Sequence, residues 1–148
     1  MTSAKQQPPG RERFRAFEQI QTRWHDNDVY QHVNNVIYYA FFDTAVNKVL
    51  VDRGVLNVAD SPVVGLVIET QCKYFAPIAF PDLISVGICT THVGNSSVRY
   101  EIGIFRNDAP QASALGHFVH VYVDRATNRP VAIPDHVRKV LNDLKVQG

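Results

Sequence analysis

The chain has 148 residues, 45% of them hydrophobic, and a formal net charge of +1 at pH 7. This length and apolar fraction suffice for one domain with its own core. The 15 Lys and Arg residues are balanced by 14 Asp and Glu residues, which argues against the basic surface of a nucleic-acid-binding protein. Cys72 and Cys89 are the two cysteines and lie far apart, which fits a reducing compartment and argues against a metal cluster.

The chain begins with a polar segment that has no apolar run of the secretory type, so a cytoplasmic protein is expected. Residues 1–12 contain Pro8-Pro9-Gly10 and are predicted to form a disordered tail, whereas residues 13–148 are predicted to form a single domain. Within that domain, the mixed apolar and polar stretch Phe14–Trp24 predicts a first strand.

A long apolar helix is predicted from Val33 to about Val51. No Gly or Pro interrupts residues 11–53, and the apolar run 36–42 continues into a stretch too long for one buried strand. Because this run is apolar in every direction, the helix must be buried on most sides. Asn34, Asn35 and Asp43 break the apolar character, so a membrane span is not expected. Gly54 is a plausible helix stop.

After Val64 the hydrophobic period changes from that of a helix to two. Strands are predicted over 64–74, 83–93, 97–105 and 112–123, and we interpret these four as one antiparallel meander. A short amphipathic helix beginning at Pro134 is predicted to end the chain. This order predicts an α+β fold in which a curved antiparallel sheet of about five strands wraps around the long helix. In the first of these strands, alternation places six side chains on one face: Val64, Leu66, Ile68, Thr70, Cys72 and Tyr74.

The polar residues that could carry chemistry are concentrated immediately before the long helix. The N-terminus of a buried helix offers unpaired N–H groups and a partial positive charge. Asp28 and His32 precede that end of the helix and therefore mark a candidate reaction site.

The same stretch carries a family resemblance. Asp26-Asn27-Asp28, followed after three residues by His32-Val33-Asn34-Asn35 and then by Tyr38, resembles the signature of hotdog-fold acyl thioesterases. The similarity is to the 4-hydroxybenzoyl-CoA thioesterase-like group and to plant acyl-carrier-protein thioesterases. The runs 74–77, with Asp82, and 94–97 resemble two further turns of that family. The resemblance covers roughly residues 14–125 and implies a hotdog fold and a thioester hydrolase.

The resemblance also implies roles for individual residues. Asp28 matches the catalytic acid, which acts as a nucleophile or as a general base on water. The backbone N–H of Asn35 is the candidate oxyanion donor, and His32 would orient water or the carbonyl group, or hold the loop. The predicted substrate-binding positions are Tyr30, Val33, Asn34, Tyr38, Gly94, Ser96 and Ser97. At Tyr30 the plant enzymes have an Asn, so the role of that side chain is not carried over to this chain. No metal and no cofactor are implied, because the CoA group is part of the substrate.

Several alternatives stay open at this point. The run 94–97 has no charged side chain, so the carrier of the acyl group could be CoA or an acyl carrier protein. A non-catalytic acyl-CoA-binding module is an alternative function, and so is a hotdog hydratase or dehydratase, although Asp28 preceding His32 does not resemble the motif of that group. The sequence does not identify the acyl group.

Other residues are predicted to be structural. Asp26 is interpreted as a partner of Arg23, and Glu69 as a solvated or subunit-interface residue. His117 and His120 fall on opposite faces of one strand and could not bind a metal together. An exposed sheet edge would be open to pairing, and the resemblance implies a homodimer or homotetramer. No nucleic-acid or membrane partner is expected.

Overall fold

The computed structural model describes residues 6–146 of the chain. Over those residues it has five β-strands and two α-helices, and the predicted order is confirmed. In chain order the elements are β1 (Ala16–Gln21), α1 (Ile37–Asp52), β2 (Val63–Tyr74), β3 (Leu83–Val93), β4 (Ser97–Arg106), β5 (Ala114–Asp124) and α2 (Asp135–Asp143).

The strands form one antiparallel sheet in the order β1-β3-β4-β5-β2. β3, β4 and β5 form a meander, as predicted. The prediction that β2 belongs to the same meander is wrong, because β2 pairs with β5 and not with β3. Residues 75–82 carry the chain from one side of the sheet to the other, and Ile78 is buried in the core on the way. β1 and β2 are therefore the two edge strands.

α1 packs against the concave face of the sheet and forms the main core with the inward-facing side chains of β3, β4 and β5. Phe42 is fully buried and meets Phe118 edge-on, with 5.7 Å between ring centroids. Gly116 permits this approach, because a Cβ there would lie 2.3 Å from the Phe42 ring. A curved antiparallel sheet around one long buried helix is the predicted hotdog architecture.

The long helix begins later than predicted. Residue Ile37, not Val33, is the first helical residue. Val33 instead forms an isolated bridge with Asn27 and donates its N–H to the Ile78 carbonyl at 2.7 Å. Val33 is apolar because it is buried in the core, although it is not helical. The hydrophobic pattern of the sequence therefore does not show where the helix begins.

A β-bulge at Ile68 corrects the predicted face of β2. Val67 pairs with His120 and Glu69 with Val119, so Ile68 is an extra residue without a partner in the register. The bulge shifts the alternation by one position. Thr70, Cys72 and Tyr74 face α1, whereas Val64 and Leu66 lie on the convex face together with Glu69, Gln71 and Lys73.

The N-terminal segment packs against the convex face. The Phe14 ring covers Gly87 and Gly103, where a Cβ would come within 2.7 and 2.5 Å of it. Ala112 donates its N–H to the Pro9 carbonyl at 2.9 Å, and the Arg11 guanidinium donates to the carbonyls of Ala109 and Asn107. The predicted disordered tail is therefore wrong for Pro9–Glu12. Its residues 1–5 lie outside the described residues.

The predicted C-terminal helix is confirmed as α2. Pro134 precedes it, and Val137, Leu141 and Leu144 are buried against the sheet. The Thr90 hydroxyl donates to the Leu141 carbonyl at 2.8 Å and ties the helix to β3. Between residues 6 and 146, neither helix combines the length and the apolar character that crossing a bilayer requires.

Candidate active site

The polar loop before α1 is fastened by a buried carboxylate. Asp26 is 1% exposed and accepts hydrogen bonds from the Arg23 N–H at 2.8 Å and from the Arg23 guanidinium at 2.9 Å. Asn34 donates its N–H to the Asp26 carbonyl at 2.9 Å. Asp26 is thus a structural partner of Arg23, as predicted, and it joins the beginning of the loop to its end.

A second carboxylate braces the loop from the turn before β3. Asp82 accepts hydrogen bonds from the Ala79 N–H at 3.0 Å and from Arg106 at 2.8 Å. Burial opposes its ionisation, but these donors and Asn107 lower the pKa of Asp82 below its usual value. The braced turn also donates the Phe80 N–H to the Asn27 side chain at 3.0 Å, which holds the loop against the sheet.

Asp28 lies at the tip of this loop. Its Oδ1 accepts the Tyr30 N–H at 2.8 Å, and its own N–H donates to the His32 carbonyl at 2.9 Å. Gln31 completes the tight turn with a left-handed backbone, φ +66°. Asp28 Oδ2 has no hydrogen-bond partner in the part of the chain that the structure describes. The carboxylate therefore keeps one oxygen available.

That carboxylate lines a groove of about 720 Å³ with aromatic walls. Trp24 and Phe80 meet edge-on, with 6.0 Å between ring centroids, and His25 lies beside them. Trp24 is 77% exposed, so the groove opens to solvent.

The N–H groups at the entrance to α1 are almost all occupied. The Val36 N–H donates to Asn34 Oδ1 at 3.1 Å, the Ile37 N–H to the Asn34 carbonyl at 2.9 Å, and the Tyr38 N–H to the Asn35 carbonyl at 3.4 Å. Among the described residues the Asn35 N–H has no acceptor. The sequence motif and the hydrogen-bond pattern thus point to the same N–H group, beside the positive end of the α1 dipole.

Tyr74 holds Asn35 in place from the edge strand β2. Its hydroxyl donates to the Asn35 carbonyl at 3.2 Å, and its ring meets the Tyr38 ring edge-on at 4.9 Å. Burial raises the pKa of Tyr74, and burial raises the pKa of Tyr38 to about 12, so both hydroxyls stay protonated at neutral pH. Burial also raises the pKa of the neighbouring Cys72 to about 11, so this cysteine is not a ready nucleophile.

The predicted residues do not all share one pocket. His32, Asn35, Tyr38 and Tyr74 line a groove of about 320 Å³, whereas Asp28 lines the aromatic groove. His32 and Tyr30 are exposed and Val33 is a core residue. Asn34 supports the backbone at the helix entrance, as predicted for its side chain.

The hairpin residues Gly94, Ser96 and Ser97 lie at the opposite end of the sheet from Asp28. They follow the last residue of β3, whose first residue, Leu83, pairs with the end of β1 nearest the loop. Eleven extended residues span roughly 35 Å. The expectation that this hairpin and Asp28 share a site is therefore not met within one protomer.

Two features were missed by the sequence reasoning. The contact between Tyr74 and Asn35 joins positions 39 residues apart, and only the tyrosine in the family-like turn hinted at it. The second is His120, which is 3% exposed and faces α1. As predicted, His117 lies on the opposite face, where it pairs with Glu69 at 2.7 Å. Within residues 6–146 no group of three or more His, Cys, Asp or Glu side chains converges as a metal site.

Several solved structures share the fold of this chain. The PA5185 protein of Pseudomonas aeruginosa is 51% identical over 95% of this chain and 99% of its own, with a TM-score of 0.93. A thioesterase of Thermus thermophilus, solved with coenzyme A and zinc, is 26% identical over 88% and 95% of the two chains, with a TM-score of 0.75. The gentisyl-coenzyme A thioesterase BH1999, 20% identical over 85% and 99%, shares the fold with a TM-score of 0.77.

None of the curated proteins compared matches the sequence at a significant level. The sequence profile of the thioesterase-like superfamily, however, matches residues 22–141, which include the loop, the long helix and all of the sheet beyond β1. This chain therefore belongs to the thioesterase-like superfamily.

Proposed function

We propose that the chain hydrolyses acyl-CoA thioesters to a free acid and a thiol. The observation that carries the proposal is the pair of groups that make no hydrogen bond within the loop: one oxygen of the Asp28 carboxylate and the Asn35 N–H. The two groups line different grooves, which meet where the Asp28 N–H donates to the His32 carbonyl at 2.9 Å. The coenzyme A bound to the Thermus relative favours CoA over a carrier protein as the thiol. The two unpaired cysteines suit the reducing cytoplasm.

The reaction can follow either of two balanced courses. In one, an Asp28 oxygen attacks the thioester carbonyl, the C–S bond breaks to release thiolate, and water then hydrolyses the mixed anhydride. In the other, Asp28 accepts a proton from the water molecule that attacks the carbonyl carbon; the tetrahedral intermediate then collapses, the C–S bond breaks, and the departing thiolate takes the proton from Asp28. Both place negative charge on the carbonyl oxygen, where a prepositioned N–H such as that of Asn35 stabilises it without reorganisation.

The exposed edge of β2 supports a homodimer as the functional unit. Val67 and Ile68 on this edge are 45% and 62% exposed, which is unusual for a strand with five β-branched or leucine side chains in six positions from Val63 to Ile68. Antiparallel pairing of β2 with a second copy would cover it. A two-fold axis near Ile68 brings the partner's Val63 beside Tyr74, so the partner would wall the groove that holds Asn35. A homotetramer requires a second interface on the same dimer.

The test is thiol release from short, medium, long and aromatic acyl-CoAs by the wild type, Asp28→Asn and the control Asp108→Asn. Asp108 is exposed in the turn after β4. We expect Asp28→Asn to lower kcat/KM by ~10²-fold or more, about 2.7 kcal/mol of transition-state stabilisation, while the control retains wild-type activity.

Two results would contradict the proposal. Acyl-CoA binding by the wild type without thiol release, from CoA or from carrier-protein thioesters, would make the chain a binding module. Full activity of Asp28→Asn would remove Asp28 from the mechanism. For the dimer, light scattering at micromolar concentration is the measurement, and a monomer mass would contradict the assembly.

A further inference from the structure

A second cavity lies at the other end of α1 from Asn35. It has a volume of about 370 Å³ and is enclosed by the last turns of α1, the connector to β2, and the adjoining parts of β2 and β5. Its walls are mainly apolar. The lining side chains include Leu50, Leu56, Val63, His120 and Tyr122.

Two of the polar side chains around this cavity are already occupied. The Arg125 guanidinium donates to the carbonyls of Val58, Ala59 and Ser61 at 3.0, 3.2 and 2.7 Å. The Asn47 amide donates to the carbonyl and the carboxylate of Asp43 at 2.8 and 3.0 Å. Both side chains are therefore engaged in hydrogen bonds within the chain, and neither is proposed as a ligand-binding group.

His120 is different. It is 3% exposed, and its Nε2 has no hydrogen-bond partner in the described part of the chain. The Tyr100 hydroxyl, on a ring that meets the imidazole at 5.1 Å, also lacks a partner there; the nearby Tyr122 hydroxyl does not reach hydrogen-bond geometry with it. Nε2 and the Tyr100 hydroxyl have almost no accessible surface, so the ring nitrogen that a group in the cavity can reach is Nδ1, which also makes no hydrogen bond within the described residues. Because polar atoms of buried side chains are nearly always paired in native proteins, Nδ1 is the atom to which a ligand would bind.

The backbone gives access to the imidazole. Gly65 of β2 lines the cavity, and a Cβ there would lie 3.1 Å from His120 Nδ1 and 3.5 Å from Tyr122 Cζ. The missing side chain leaves this side of the ring open. Burial lowers the pKa of His120 to about 4, although Asp43 opposes the shift, so the ring is neutral at pH 7 and offers one donor and one acceptor.

We infer that this cavity holds the acyl part of the thioester and that His120 Nδ1 makes a hydrogen bond with an oxygen near the far end of that acyl group. The inference rests on the proposed function and names its substrate class: thioesters of hydroxyacyl or oxoacyl groups. At about 30 Å³ per water-sized group, the cavity accommodates roughly twelve heavy atoms. The part of α1 between Asn35 and the lining residues Asn47 and Leu50 separates the cavity from Asn35 of the same protomer by roughly 20 Å, at 1.5 Å per helical residue.

The proposed dimer resolves this separation. Because β2 would pair antiparallel with its symmetry mate, the Val63 end of one copy lies beside the Tyr74 end of the other. An acyl group whose carbonyl is held at Asn35 of one protomer would then enter the cavity of its partner. Each site would take its reacting groups from one protomer and its acyl-recognising imidazole from the other.

The test compares octanoyl-CoA with 8-hydroxyoctanoyl-CoA in the wild type and in His120→Phe. Phenylalanine keeps an aromatic ring between Tyr100 and Phe118 but has no nitrogen. We expect the wild type to favour the hydroxylated thioester by at least ~10-fold in kcat/KM, and His120→Phe to lower that ratio to about 1, chiefly through a lower kcat/KM for the hydroxylated thioester. A catalytic role for His120 would instead lower turnover of both thioesters.

A binding measurement separates this inference from the proposed function. Calorimetric titration with octanoic and 8-hydroxyoctanoic acid requires no turnover, and we expect the same tenfold preference and its loss in His120→Phe. Absence of thiol release together with this preference would overturn the hydrolase but keep the recognition site. Equal affinities in the wild type, or an unchanged preference in the variant, would overturn the inference and leave a cavity that holds only water.

Gly65→Ala serves as a second variant should His120→Phe fail to fold. Its added methyl group would stand 3.1 Å from His120 Nδ1. We expect it to reduce the preference for the hydroxylated acid at least threefold without removing any hydrogen-bonding group. An unchanged preference in Gly65→Ala would contradict an approach to His120 from the cavity.

Discussion

The polar groups at the two ends of α1 differ in their exposure to solvent and in their hydrogen bonding. At the N-terminal end, the loop is exposed and its hydrogen bonds are nearly all made, which leaves one oxygen of Asp28 and the Asn35 N–H available. At the C-terminal end, apolar walls enclose His120, whose Nε2 is unpaired within the described residues. A rigid backbone can thus hold reactive groups where water has access, whereas discrimination between ligands needs a polar atom from which water is excluded.

The largest expected effect is on stability in acid. The pKa of His120 is about 4 in the folded chain against 6.5 for an unperturbed histidine, so the unfolded chain binds the extra proton between those values. The free energy of unfolding should therefore fall as the pH drops from 6.5 to 4, by up to about 3 kcal/mol. Urea unfolding at pH 7, 5.5 and 4 measures it.

His120→Phe should remove this part of the acid sensitivity, whereas His136→Gln, a change at an exposed histidine in α2, should retain it. Equal loss of stability between pH 7 and 4 in the wild type and His120→Phe would show that the imidazole is not held neutral by burial. The two ends of α1 would then differ less than the structure indicates.

The next effect separates two carboxylates within the loop itself. Asp26→Asn should lower the free energy of unfolding by about 2 kcal/mol, because it weakens charge-assisted hydrogen bonds to a buried side chain. Asp28→Asn should leave that free energy within ~0.5 kcal/mol of the wild type. Thermal and urea unfolding of both variants measure these changes. If the two variants are destabilised equally, Asp26 and Asp28 do not differ as a structural and a reactive carboxylate.

A smaller effect is expected at the connector that closes the apolar cavity. Arg125→Gln removes hydrogen bonds to three carbonyls and should cost about 1.5 kcal/mol of stability. It should also loosen discrimination between acyl groups without changing the rate for the best thioester more than ~3-fold. Arg129→Gln, at an exposed arginine beyond β5, is the control. Unaltered stability and selectivity would mean that the connector holds its position without Arg125.

The smallest effect is expected at the reactive end. Tyr74→Phe removes the hydrogen bond to the Asn35 carbonyl, worth about 1 kcal/mol, and should lower kcat about 5-fold through a less well oriented Asn35. Tyr39→Phe is the matched control, since the Tyr39 hydroxyl makes no hydrogen bond within the described residues. A change in KM alone would assign Tyr74 to substrate binding and not to positioning.

The sequence predicted the elements well, because their signals are local. The period of two marks each strand, and the uninterrupted apolar run marks α1. The start of α1 was misplaced for the same reason: Val33 is as buried as a helical residue would be, although it belongs to a bridge. The structural role of Asp26 was also predictable, since its partner Arg23 lies three residues away.

The remaining features depend on contacts between distant parts of the chain. No local sequence pattern indicates that β2 pairs with β5 and not with β3. The extra residue at Ile68 also places Val64 and Leu66 on the face opposite to the predicted one. The cavity around His120 arises where α1, a connector and two strands meet. A single buried histidine in an apolar strand gives no hint of it.

The unpaired edge of β2 has a consequence for the enzyme concentration at which activity is measured. If each site is built from two protomers, dilution below the dissociation constant removes activity without unfolding either chain. Specific activity should then rise with enzyme concentration until the dimer predominates. Assays at low nanomolar enzyme would underestimate the turnover number, and a substrate that bridges the two protomers would itself hold them together.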